Sequence, residues 1–376
     1  MLGIYVHLPF CPYICPYCDF AKWPHRESQA TAYLAALQAE IEAAPSQPAA
    51  TIFFGGGTPN QYDARTLAAL TKRVREWFPA LPGSTHEISV EVNPEKVREG
   101  DFETYARAGI NRISIGAQSF DPAEIATLGR KHTVEQVTAV VAMARAAGID
   151  SVSIDLMFAV PGQTPDSWKR SLERAVELDV DHISTYGLTV EEGTPYALWQ
   201  LREPRTFLDA DREAELYDIA ISALEAAGFE HYEISNFAKT GHACAHNANY
   251  WDNGDYLGLG VGAASFRNGV RSVHTRELDT YVAAAGAGLP IPGETERLLG
   301  GKRAGEAAML ALRTAQGVCL RTFKERYEID FMNYYAPIIA DLVAAEVLET
   351  DNERARLTRR GRFLANDVCG AFVTFE

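Results

Sequence analysis

Short β-rich, mostly apolar runs recur along the first two-thirds of the chain: Ile4–Leu8, Thr51–Phe54, Glu87–Val92, Arg112–Gly116, Ser151–Met157, His182–Leu188 and His231–Ser235. Several are apolar on both faces, which predicts strands buried in a parallel sheet. Amphipathic helical windows lie between them. Thr31–Ala43 sets Leu34, Leu37 and Ile41 at helical spacing. Thr133–Ala147 does the same with Val137, Val140, Val141 and Ala144, and ends at Gly148, an expected C-cap. Leu172–Leu178 and Leu216–Leu224 are similar. This alternation predicts an α/β fold, either an open doubly wound sheet or a barrel.

The pattern changes after about residue 285. Ala283–Gly293 is rich in Gly, Ala and Pro and reads as a linker. Helical windows follow at Lys302–Thr314, Leu320–Tyr327 and Phe331–Ala345. Val347–Thr350 and Arg354–Leu357 then flank the turn-prone Asp351-Asn352, a hairpin signal, before a last helix at about Thr358–Asp367. Helices, a two-stranded wing and a helix together resemble a winged-helix module. The expected organisation is residues 1–285 and 286–376.

Composition narrows the function. The 376 residues carry 35 Lys+Arg against 50 Asp+Glu, a formal charge of −15. An acidic surface argues against nucleic acid as the partner of the C-terminal module. With 47% hydrophobic residues the chain can bury a large core. No apolar run approaches the ~20 residues of a membrane span. The opening, MLGIYVHLPFCPY, lacks a basic region and a long apolar stretch, so no signal peptide and a cytoplasmic location are expected.

Three of the six cysteines, Cys11, Cys15 and Cys18, fall within eight residues in a C-x3-C-x2-C spacing. A reducing compartment leaves such thiols free as ligands. Three thiolates can hold three irons of a [4Fe–4S] cubane, leaving the fourth iron open. A zinc site or three core thiols are the alternatives, and His25 is the nearest fourth zinc ligand. The loop follows the first expected strand, so it sits where barrel active sites lie. Polar residues mark the ends of the following strands. Gly55-Gly56-Gly57-Thr58-Pro59 would let backbone approach a ligand closely. Glu91, Gln118 and Asp155 end or interrupt later strands. Arg130 could meet either Asp155 or a ligand carboxylate. Cys319 and Cys369 read as small core residues, and His7 as a group that either hydrogen-bonds locally or helps shape the site.

C-x3-C-x2-C after a first strand, followed by GGGTP after the second, resembles the radical S-adenosylmethionine (SAM) superfamily. The resemblance narrows to its coproporphyrinogen oxidase-like branch through Arg112–Phe120 (RISIGAQSF), Leu128–His132 (LGRKH), Ile154–Thr164 (IDLMFAVPGQT) and Tyr256–Ser265 (YLGLGVGAAS). It implies an incomplete (β/α)6 barrel with a mainly helical C-terminal domain. It implies a [4Fe–4S] cluster on Cys11, Cys15 and Cys18. It also implies SAM contacts from Tyr5, Gly56, Gly57, Thr58, Glu91, Gln118, Arg130, Asp155 and Ala264, with Gly258, Gly260 and Gly262 allowing close backbone approach. An electron donor for the cluster follows.

Within the branch, the oxidases extend the motif to a fourth cysteine and have a longer N-terminal region. Here Phe20 holds that position, and the sequence begins ten residues before Cys11. The haem chaperones of the branch carry HNxxYW, which this chain has as His246-Asn247-Ala248-Asn249-Tyr250-Trp251. The resemblance therefore implies haem as cargo, contacted by His246, Asn247, Tyr250 and Trp251, and apo-haemoprotein acceptors. Imidazole is a common haem ligand, and Tyr and Trp offer flat faces to a porphyrin. The same residues could instead cap a turn and fill the barrel's end. His242 and Cys244 are alternative ligands. The rival functions are porphyrin biosynthesis by oxidative decarboxylation of coproporphyrinogen III, and radical chemistry on another substrate.

Overall fold

The computed structural model describes residues 1–373. Six strands run parallel in chain order: β1 (Gly3–Leu8), β2 (Thr51–Gly56), β3 (Glu87–Val92), β4 (Arg112–Gln118), β5 (Ser151–Phe158) and β6 (His182–Gly187). Next to β6 lies an antiparallel pair, β7 (Glu230–Glu233) and β8 (Asn236–Ala238). On the other side β9 (Tyr256–Leu259) runs parallel to β1. The antiparallel β10 (Ala264–Arg267), β11 (Val270–His274) and β12 (Gly293–Arg297) follow it. The sheet order is β12-β11-β10-β9-β1-β2-β3-β4-β5-β6-β8-β7. The two edge strands, β12 and β7, are not bonded to each other, so this α/β barrel is incomplete.

Helices cover the outside at Glu27–Ala43, Ala64–Trp77, Asp101–Ala108, Val134–Ala146, Pro165–Glu177 and Ala210–Ala226. Side chains cap their starts where the sequence supplies them. Thr133 and Thr164 each form a capping box, and Pro165 fills a position needing no N–H donor. Among the described residues, no helix is long and apolar enough to cross a membrane.

The parallel strands differ from the two-sided apolar pattern expected for them. Ile4, Val6, Ile52, Phe54, Ile88, Val90, Ile113, Ile115, Val152, Ile154 and Ile183 belong to the apolar core. Their alternate neighbours, Tyr5, Ser89, Glu91, Arg112, Ser114, Ser153, Asp155, His182 and Ser184, line a cavity inside the barrel. The strand period of two sorts apolar residues from polar ones. The lumen is a polar chamber, unlike the packed aliphatic centre of a complete barrel.

Ala283–Gly293, expected as a linker, holds the end of the helix Leu278–Gly286 and leads into β12 of the main sheet. A second apolar core spans Ala304 to Phe372. It is built from helices including Gly300–Leu312 and Leu320–Tyr327 and a small sheet of β13 (Val318–Cys319), β14 (Leu348–Thr350) and β15 (Arg354–Leu357), in the order β13-β15-β14. The expected hairpin is present as β14 and β15. The single helix expected over Phe331–Ala345 is split into Phe331–Tyr334 and Ala336–Ala344, because Pro337 has no N–H to continue the first turn.

Candidate cluster and cofactor site

The cysteine loop is pinned at both ends. Phe10–Cys11 pairs with Trp23–Pro24, the Trp23 N–H donates to the Pro9 carbonyl at 2.9 Å, and the His25 N–H donates to that of Cys11 at 2.9 Å. Phe10 is fully buried, edge-on to Tyr33 and Tyr62. Between these anchors a turn forms, with the Cys18 N–H on the Cys15 carbonyl at 3.2 Å. All three thiols face one cavity of about 390 Å3.

The same cavity is lined by Gly56, Gly57, Thr58, Glu91, Gln118, Arg130 and Asp155. Gly56 has φ +109°, and a Cβ there would stand 2.3 Å from the His7 ring. A Cβ on Gly57 would stand 2.6 Å from the Pro9 backbone. The glycines therefore let β2 end against the β1 chain. The Gly56 N–H donates to Glu91 Oε2 at 3.2 Å. Burial, then the nearby Asp155 charge, pushes Glu91 up to about 7. Burial likewise raises Asp155, whose carboxylate accepts from Ser114 Oγ at 2.8 Å.

Arg130 does not hydrogen-bond to Asp155. Its Nη2 donates to Asn93 Oδ1 at 2.6 Å and to the Gly116 carbonyl at 2.8 Å, and its Nη1 lies 3.9 Å from Cys15 Sγ. Asn93 also donates to Thr58 Oγ1 at 3.1 Å. Asn93 thus joins the glycine turn to the arginine. Sequence reasoning passed it over, although it lies two residues after Glu91.

The donor set fits a cluster. Burial pushes the Cys11 thiol up to about 11 and raises Cys18, so the thiolate forms need a cation beside them. Among the described residues, no three His, Cys, Asp or Glu side chains converge on one point to hold a single ion. A cubane takes one thiolate per iron and needs no such convergence. Arg130 Nε is buried without a partner in this wall, so the site retains an unused donor.

Tyr5 and Ala264 do not line this cavity. They line a second one of about 610 Å3, which shares Phe20, Gly56 and Glu91 with the first. The Tyr5 hydroxyl is 3.0 Å from His7 Nδ1, and His7 Nε2 is 2.7 Å from the Ala21 carbonyl. Nε2 must donate to that carbonyl, so Nδ1 accepts from Tyr5. Burial lowers His7 to about 4, which keeps it neutral.

The HNxxYW segment forms the helix Ala245–Trp251 and is divided between two places. His246 is 1% exposed. Its Nδ1 is 2.8 Å from Thr51 Oγ1 and its Nε2 is 2.8 Å from the Tyr250 hydroxyl, while its ring stacks on Phe53. Both nitrogens are used. Asn247 and Tyr250 also face the lumen. Trp251 points away, into a cleft against the C-terminal unit. Cys244 is buried with Sγ 3.6 Å from Glu87 Oε1, and His242 Nδ1 is 3.4 Å from Ser151 Oγ. Cys319, expected as a core residue, lines that same cleft.

Comparison with known proteins agrees with this geometry. A profile of the radical SAM superfamily matches residues 5–175, and one of the HemN C-terminal domain matches residues 302–364. The solved structure of coproporphyrinogen III oxidase (HemN) from Escherichia coli, described as a radical SAM enzyme, superimposes with a TM-score of 0.85. It covers 100% of this chain and 90% of that one at 24% identity, a likeness of fold. The heme chaperone HemW of Bacillus subtilis (strain 168) is 34% identical over 99% of this chain and 99% of its own length. HemW of Mycobacterium tuberculosis (strain CDC 1551 / Oshkosh) is 36% identical over 97% of this chain and 93% of its own. The superfamily's cofactors are a [4Fe–4S] cluster and SAM, the groups the donor set fits. At this identity, sustained from end to end, the chain belongs to the HemW family of radical SAM proteins.

Proposed function

We propose that this protein binds haem and delivers it to apo-haemoproteins in the cytoplasm. The observation that carries this reading is the end-to-end likeness to relatives named heme chaperone, through both the cluster-bearing unit and the C-terminal unit. Cys11, Cys15 and Cys18 would hold the cluster. Gly56, Gly57, Thr58, Glu91, Gln118, Arg130 and Asp155 would hold SAM, with Tyr5 and Ala264 meeting its far side from the adjoining cavity. When bound, the cluster and SAM supply one-electron reductive chemistry, fed by a one-electron donor protein or reductant.

The chain's own residues position and shield. Asn93 fixes Arg130 against the Cys15 side of the cavity. The neutral His7 fixes Tyr5 beside the glycine turn. Phe20 stands where an oxidase of the branch has its fourth cysteine, and it is 68% exposed at the cavity rim.

The test is made without oxygen, on cluster-loaded protein. With SAM, a reductant and coproporphyrinogen III, mass spectrometry follows the porphyrin over many turnovers. Haemin transfer to apomyoglobin is followed in parallel by the absorbance of the product. An unchanged porphyrin with complete haem transfer is the expected result. Repeated loss of two carboxyl groups would make the protein an oxidase instead.

A further inference from the structure

The cleft between Trp251 and the C-terminal unit has the features of a binding site, and the haem reading does not by itself place anything there. Its volume is about 490 Å3, inside the roughly 300–1,000 Å3 range of small-molecule sites. Hydrogen bonds across it fix its width. Arg326 Nη1 donates to the Asp252 carbonyl at 2.9 Å, and Asn253 Nδ2 donates to the Tyr327 hydroxyl at 3.3 Å. The end of the HNxxYW helix is thereby clamped to the helix Leu320–Tyr327.

The lining combines flat apolar walls with cations. Trp251 and Tyr327 supply partly exposed rings, with Phe323 buried behind them. Arg321, Arg326 and Arg354 supply positive charge, in a chain whose formal charge is −15. Arg326 is paired with Asp252 at 3.1 Å and Arg321 with Glu325 at 3.0 Å. The Arg354 guanidinium donates to the Gln316 carbonyl at 3.1 Å and has no carboxylate within ion-pair distance among the described residues, the nearby Asp351 accepting from its backbone N–H instead. The larger cavity beside the cluster is different. Its Arg271 is paired with Glu296 and Glu306, and its Arg276 with Asp19. A flat apolar molecule bearing carboxylates is therefore better matched by the cleft.

The cleft also holds a soft iron ligand. Cys319 Sγ accepts from Thr322 Oγ1 at 3.4 Å and is partly exposed. His246 has no free nitrogen to offer. We propose that haem is carried in this cleft, with its ring against Trp251 and Tyr327, a carboxylate on Arg354 and its iron facing Cys319. The inference rests on the haem reading and assigns its cargo site. It also gives the HNxxYW motif two separate roles, with His246 closing the barrel and Trp251 forming a wall for the cargo.

Haemin titration of the full-length, cluster-loaded protein tests it, followed by absorbance under anaerobic conditions. Arg354→Glu is expected to weaken haemin about tenfold or more. Arg360→Glu, on the outer surface of the same unit, serves as the charge-matched control and is expected to bind as the wild type. Cys319→Ser is expected to move the Soret band. In the unmodified protein, haemin is expected to slow alkylation of Cys319 by iodoacetamide, a readout that needs no variant to fold. Wild-type haemin affinity in Arg354→Glu and an unmoved Soret band in Cys319→Ser, with Cys319 alkylated at an unchanged rate, would overturn the cleft and leave haem carriage standing. No haemin binding by the wild type would overturn both.

Discussion

The two ends of the barrel both bury polar side chains, and they treat them differently. At the floor the two histidines are fully satisfied, while Ser89 Oγ and Arg112 Nη2 have no partner. His246 is held between Thr51 and Tyr250, and His182 between Ser153 Oγ and the Tyr232 hydroxyl, each at 2.8 Å. At the mouth the groups are only partly used. Glu91 accepts from one backbone N–H, Arg130 Nε finds no acceptor, and three thiols face an open cavity. Buried polar groups are normally satisfied. The mouth gathers its spare capacity, three thiols and a guanidinium nitrogen, around one cavity and is therefore built for ligands, whereas the satisfied histidines of the floor are built for the fold.

The largest effect should come from the mouth. Cys18→Ser is expected to drop bound iron from about four per chain to near zero, measured by iron analysis after reconstitution. Melting of the metal-free protein should stay near wild type, since Cys18 is only half-buried. Retention of a full cluster would break the assignment of that cysteine.

The floor should respond in stability instead. His246→Leu leaves the Thr51 and Tyr250 hydroxyls buried without their partner, an expected loss of about 4 kcal/mol in urea unfolding. Haemin affinity of the folded variant should be unchanged. Lost affinity or a changed haem spectrum at wild-type stability would move the floor into the binding machinery and erase the contrast.

Glu91 sharpens the comparison through pH. Its folded value of about 7 lies above the ordinary 4.5. Below 4.5 both folded and unfolded states are protonated. Between 4.5 and 7 the unfolded state releases a proton that the folded state keeps, so this residue's contribution to stability falls as pH rises, by about 3 kcal/mol in all. Glu91→Gln, without cluster or SAM, should remove that slope. An identical pH profile in the variant would show that the mouth carboxylate ionises freely. Phe20→Ala marks the small end of the scale. An exposed rim side chain should change stability by less than about 0.5 kcal/mol, which thermal unfolding would check.

Much of the mouth was legible because its chemistry is local in sequence. C-x3-C-x2-C fits in one loop, and each later contributor sits at a strand end, where alternation predicts a shared rim. The helical windows and most parallel strands were legible for the same reason. The floor was not. Its pairs join residues as distant as Thr51 and His246 or His182 and Tyr232, and no local spacing announces them. The polar lumen was misjudged because Ser89, Ser114 and Ser153 are small, so their strands resemble two-sided apolar runs. The added strands β10–β12 were missed because their burial is partial and their sequence lacks a clean alternation. Cys319 looked like core filler because the cleft beside it is made by two units far apart in sequence.

The pairing of β1 with both β2 and β9 carries a consequence for the order of events during synthesis. The strand leading into the cysteine loop leaves the ribosome before either of its partners. One of its neighbours follows early, but the other is roughly 250 residues behind, about 13–50 s of elongation at about 5–20 residues per second. Until then β1 has an unpaired edge, and the wall that β9 and β10 contribute beside the glycine turn does not exist. The three thiols therefore spend their early life on an unfinished scaffold. Cluster loading is a step for the completed chain, and the last third of the sequence sets when it can begin.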